Sequence, residues 1–92
     1  MRVVYTDDAR DNLADILRYT SAHFPTALAG FQTRLRLIER RISRYPESTE
    51  EVVGRPGVRV VPFVRYPYKL FYRITADVVE VLHLHHAARR LP

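Results

Sequence analysis

Residues 58–89, VRVVPFVRYPYKLFYRITADVVEVLHLHHAAR, decide the fold. Within them YKLFYRI (68–74) and VVEVLHL (78–84) are two β-rich runs joined by Thr75-Ala76-Asp77. β-Branched and aromatic residues fill both runs and short polar residues occupy the joint, the composition of a β-hairpin. Alternation puts Tyr68, Leu70, Tyr72 and Ile74 on one face of the first run, and Lys69, Phe71 and Arg73 on the other. A strand with one apolar and one partly cationic face is a half-buried antiparallel strand with an open side. The rest of the chain has the apolar side to cover.

Working back from the hairpin, Gly57 opens a strand, VRVVPFV (58–64), and Tyr66-Pro67 turns the chain between the two. Pro62 has no N–H to give to a ladder, so this strand belongs at an edge or carries a bulge. Arg59, Val61, Phe63 and Arg65 share one of its faces. Further back, residues 46–57 hold Glu47, Glu50 and Glu51 without periodicity and read as a mobile connector.

Two helices precede the connector. Leu28, Phe31, Leu35, Ile38 and Ile42 step by three and four residues, an apolar seam, while Arg34, Arg36, Arg40, Arg41 and Arg44 lie outside it. Arginines near a helix C-terminus favour the helix dipole, which accounts for them without a binding role. Earlier, Ala9, Leu13, Ile16, Leu17 and Thr20 recur at helical spacing behind Thr6, an N-cap followed by Asp7 and Asp8. This helix ends near His23-Phe24, and Pro25 suits the first turn of the next. RVVY (2–5) is a short leading strand. The order β-α-α-β-β-β predicts one α+β domain over residues 1–92, a helical hairpin laid on one face of a small antiparallel sheet.

With 47% apolar residues the chain is neither disordered nor in need of staples. It has no cysteine, which excludes disulfides and thiolate metal sites and fits a reducing cytosol. Val60 to Val64 is its longest apolar run, far short of the ~20 residues that span a membrane. The first residues lack a signal-peptide core, so a cytoplasmic protein is expected. The net charge of +5 is concentrated in residues 34–73, which points to an acidic partner, nucleic acid or protein.

The chemical motifs are few. His83 and His85 share a strand face and could give two metal ligands, but zinc needs three or four, so no metal or other cofactor is expected. There is no nucleophile elbow around Ser21, Ser43 or Ser48, and the three glycines form no phosphate loop. A metal-free nuclease clusters Arg, Lys, His or Tyr to hold phosphate and move protons. Arg59, Arg65, Lys69, Arg73 and Arg89 are candidates for such a cluster, and equally for a partner-binding basic face.

Four elements in order, Gly57-Val58-Arg59, Arg65-Tyr66-Pro67-Tyr68, Phe71-Tyr72-Arg73 and His86-Ala87-Ala88-Arg89, resemble the C-terminal half of RelE/ParE superfamily toxins of bacterial type II toxin–antitoxin systems. The resemblance implies a β-α-α-β-β-β fold and a growth-arresting toxin neutralised by a cognate antitoxin. Plasmid stabilisation is among the roles it suggests. RelE-like members cleave mRNA on the ribosome, whereas ParE-like members inhibit DNA gyrase. On the RelE pattern the nuclease residues would be Arg59, Lys69, His86 and Arg89. Lys69 falls where RelE-like enzymes place an arginine, and Arg89 matches their second one. Their lysine pair aligns with Val60 and Pro62, and their C-terminal tyrosine has no counterpart before Pro92. These departures favour a ParE-like gyrase inhibitor that is not an enzyme, with the RelE-like endoribonuclease as the alternative. A small basic nucleic-acid-binding module is a third reading, from outside the family. Arg59, Arg65, Lys69, Phe71, Arg73 and Arg89 are the residues expected to bind the target or an acidic, amphipathic antitoxin segment.

Overall fold

The computed structural model describes residues 1–87. In chain order it contains β1 (Arg2–Tyr5), α1 (Asp7–His23), a 3-10 turn (Pro25–Ala27), α2 (Leu28–Arg44), β2 (Glu50–Glu51), β3 (Val58–Pro62), β4 (Tyr68–Ile74) and β5 (Val78–His86). The strands form one sheet in the order β1-β5-β4-β3-β2, and the helices cover one of its faces. No described helix is long and apolar enough to cross a membrane.

The helices form where capping and spacing place them. Thr6 caps α1, its hydroxyl accepting from Ala9 N at 3.1 Å, with Asp7 and Asp8 in the first turn. α1 buries Ala9, Ile16 and Thr20, while Leu13 and Leu17 are half-buried at the margin of the core. Pro25 opens the 3-10 turn rather than α2 itself. Phe31, Leu35, Ile38 and Ile42 of α2 are buried against Val61, Phe63, Leu70, Tyr72, Val79, Val81 and Leu84 of the sheet.

The sheet departs from expectation in two places. It is not wholly antiparallel: β1 runs parallel to β5, with Val3 opposite Val79 and Tyr5 opposite Val81. The helical hairpin returns the chain to the far end of the sheet, so the first strand and the last run the same way. β1 is also tied to α2, because the Tyr5 hydroxyl donates to Glu39 Oε2 at 2.6 Å. Burial first, and then the bond to Glu39 and its charge, hold that phenol far above its ordinary pKa, so it stays a donor.

The second departure is the connector, which is fastened rather than loose. Glu50 and Glu51 add β2 to the edge of β3, opposite Val60 and Arg59. Pro62 lies beyond that pairing, on the bare part of the edge, as its missing N–H requires. Arg41 binds Ser48 through its hydroxyl (3.1 Å) and its carbonyl (3.0 Å). Arg59 Nη1 donates to the carbonyls of Glu47 and Thr49, and the buried Tyr72 hydroxyl donates to Pro46 O at 2.6 Å beside the Thr49 hydroxyl. Tyr72→Phe removes the donor of a part-buried carbonyl and is expected to cost about 1–3 kcal/mol in urea unfolding. A loss below ~0.5 kcal/mol, the range of surface changes, would show that water replaces this bond.

One bulge sets the faces of β5. Phe71 lies opposite His83 and Tyr72 opposite Val81, so Leu82 is an extra residue. The alternation therefore changes phase. Val79 and Val81 point into the core together with Leu84, and Glu80, His83 and His85 point away.

Candidate functional site

On the face away from the helices, Lys69, Phe71 and Arg73 of β4 stand in a row. Lys69 lies between Pro62 of β3 and His85 of β5, and Phe71 between Val60 and His83. The His83 and His85 rings stack at 5.2 Å, and Phe71 meets His85 at 5.9 Å. Phe71 is only 6% exposed, so it backs this row and does not project from it. Arg73 is held by Glu80, Nε to Oε1 at 2.7 Å, which leaves exposed Lys69 as the cation of the row without a carboxylate partner among the described residues. Lys69, two imidazoles and an aromatic floor can bind an anionic group, and an imidazole can donate or accept a proton.

The other sequence candidates stand elsewhere. Arg59 faces the helix side, opposite Tyr72, with its guanidinium spent on the connector carbonyls, so it does not join Lys69 and Arg73. His86 is also on the helix side, its ring 5.7 Å from Tyr68. Arg65 is exposed in the β3–β4 turn with φ +73°, the left-handed conformation that reverses the chain there. Arg89 lies outside the described residues. The resemblance makes His86 the histidine of a nuclease set with Lys69, whereas the structure puts His85 opposite Lys69 and His83 opposite Phe71. Parity along β5 was the available signal, since 83 and 85 alternate with the core residue Leu84. Among the described residues no three His, Cys, Asp or Glu side chains gather as a metal site would need.

A second feature was not anticipated. A groove of about 740 Å³ opens between α1, the 3-10 turn, the β3–β4 turn and the end of β5. Ile16, Phe31, Tyr66, Tyr68 and Leu84 line its depth, and Tyr19 (52% exposed) and Phe24 (58%) stand at its rim. Exposed aromatics of this size mark interaction surfaces more often than monomer surfaces. The groove exists because β1 stops at Tyr5, opposite Val81, and leaves the later part of β5 without a strand on its β1 side. α1 fills part of the gap: Thr6 N donates to Val81 O and its hydroxyl to Leu82 O, both at 3.0 Å, and Asn12 Oδ1 accepts from Leu84 N at 3.1 Å. Tyr66 reaches across to α2, where a Cβ on Gly30 would collide with its hydroxyl.

Two helices on one side of a five-stranded sheet make an α+β architecture shared with solved RelE and ParE structures. Residues 3–91 match the model of the ParE toxin of type II toxin–antitoxin system, parDE, and the chain belongs to that family. Three solved structures share the fold. The chromosomal ParDE system from P. aeruginosa has a TM-score of 0.79 at 16% identity, over 94% of this chain and 95% of that one. The YoeB/ParE toxin from Agrobacterium tumefaciens scores 0.66 at 15% identity, over 94% and 98%. The isolated E. coli RelE toxin scores 0.55 at 20% identity, over 97% and 86%. A search of curated proteins finds no match.

Proposed function

We propose that this toxin acts in the bacterial cytoplasm as an inhibitor of DNA gyrase, and that its antitoxin seats an amphipathic segment in the aromatic groove. The observation that carries the gyrase reading is the make-up of the open face. Lys69 and Phe71 are flanked across β3 by Pro62 and Val60, the positions where a RelE-like nuclease has lysines. Apolar side chains there hold no phosphate and stabilise no developing charge. The antitoxin reading rests on the groove, since Tyr19 and Phe24 offer apolar anchor sites at its rim. A specific observation favours the second reading, a ribosome-dependent endoribonuclease: His83 and His85 stand beside Lys69, and an imidazole can serve as general base or acid. The two readings separate in one experiment. Purified toxin is expected to block gyrase supercoiling and to leave mRNA in programmed ribosomes uncut. Cut mRNA with unimpaired supercoiling would reverse the assignment.

A further inference from the structure

Charge is segregated between the helices. α1 carries four aspartates and two arginines, whereas α2 carries five arginines and one glutamate. The acidic helix neutralises its own cations, with Arg10 beside Asp7 and Arg18 beside Asp15. α2 does not. Its one acid, Glu39, accepts from Tyr5, and Arg41 is turned onto Ser48. Arg34 is half-buried, and Arg36, Arg40 and Arg44 are exposed and without an ion pair among the described residues; Arg36 also donates to the Thr33 hydroxyl at 3.3 Å. Four-residue steps put the three in one column about 6 Å apart, on the side of α2 opposite the buried seam.

The column has an intramolecular cost that the molecule compensates only in part. Like charges at i, i+4 destabilise a helix by about 0.2–0.5 kcal/mol per pair. The helix dipole offsets this at Arg44 and Arg40, but its reach ends with the last turn and leaves Arg36 unaided. The only large apolar side chain exposed along this face is Leu37. A protein partner would need apolar anchors, and here the exposed Tyr45 that caps the C-terminus of α2 adds one at the end of the column, whereas Tyr19 and Phe24 stand at the groove on other elements. A line of guanidinium groups evenly spaced along a helix, with little apolar surface, matches a polyanion with evenly repeated charges. Nucleic-acid interfaces are the more polar and more positive kind, and arginine is suited to phosphate.

From this charge complementarity we infer that the exposed face of α2 is a nucleic-acid backbone site, in which Arg36, Arg40 and Arg44 contact successive phosphates of duplex DNA independently of sequence. The site lies on the opposite side of the molecule from the Lys69 row.

Fluorescence anisotropy of labelled duplex DNA with the purified full chain tests this, over salt from about 50 to 200 mM. The combined variant Arg36→Gln, Arg40→Gln, Arg44→Gln is expected to flatten the slope of log K against log salt by about 2.7, and Arg40→Gln alone by about 0.9. Circular dichroism melts check that both fold, because the repulsion relieved and the helix-dipole interaction lost at Arg40 and Arg44 oppose each other. Arg10→Gln with Arg18→Gln, on the acidic helix, should leave the slope unchanged. Three results would overturn the inference. One is wild-type protein that does not bind at low salt. Another is an equal loss in the α1 variant, which would mean net charge and not a site. The third is polyglutamate displacing the duplex at equal charge concentration, which would assign the face to an acidic polypeptide.

Discussion

Phe31→Ala is expected to destabilise the toxin by about 3–5 kcal/mol, a large share of the stability of a domain this size. Phe31 is 1% exposed and stacks flat on Phe63, with ring centroids 5.0 Å apart and planes 2° from parallel. Tyr66 and Tyr68 meet it edge-on at 5.8 and 5.7 Å. Truncation leaves a cavity that none of these neighbours can close, because β3, β4 and α2 each hold one wall. Urea unfolding would measure the loss, and a value below about 1 kcal/mol would mean that the α2 seam does not seat on Phe63. Phe24→Ala is the counterpart at the rim of the same groove. Its ring is 58% exposed, so its removal should cost under ~0.5 kcal/mol while weakening whatever the groove binds. The pair separates the groove's architecture from its use.

The fold was legible where the pattern is local. The seam from Leu28 to Ile42, the Thr6 cap and the 75–77 turn all follow from spacing and side-chain chemistry within a few residues. Two features were out of reach. β1 pairs with a strand over seventy residues later in the chain, and RVVY has the same composition whether its partner is parallel or antiparallel. β2 is two glutamates with no apolar alternation, held in place by Tyr72, Arg59 and Arg41 from elsewhere in the fold. Those three contribute long-range bonds to backbone carbonyls, which no local pattern announces.

The site was legible only in part, for a reason of parity. Alternation puts Arg59 on one face with Val61 and Phe63, and the structure makes that the core side, so Arg59 does not join Lys69 and Arg73. On β5, strict alternation would join Val79 and Val81 to His83 and His85 on one face. The extra residue Leu82 breaks that phase, so the valines enter the core and the imidazoles reach the open face. A bulge of this kind re-aims side chains beside functional sites, and the sequence carries no glycine or proline to mark it.

That re-aiming settles which substitutions separate the two activities. Lys69→Glu reverses the open-face cation without a carboxylate partner, and its side chain is exposed, so the fold should tolerate the change. If Lys69 meets an acidic patch on gyrase, reversal loses an interfacial charge pair and adds repulsion, a loss of about 2 kcal/mol or more, roughly thirtyfold in inhibition. His83→Gln and His85→Gln keep polar side chains at their positions and remove the proton exchange. In a gyrase inhibitor these two should leave supercoiling inhibition within about threefold of wild type, because proton transfer plays no part in binding. In a ribonuclease either change should cost about a hundredfold or more, since general acid–base catalysis contributes that much. His86→Gln is the internal control: His86 sits on the helix side against Tyr68, away from the row, and should leave either activity in place if the protein folds. Growth arrest that survives His85→Gln and is lost with Lys69→Glu would support a binding toxin. Codon-linked mRNA cleavage that disappears in a stably folded His85→Gln variant would sink that reading and make Lys69, His83 and His85 a catalytic row.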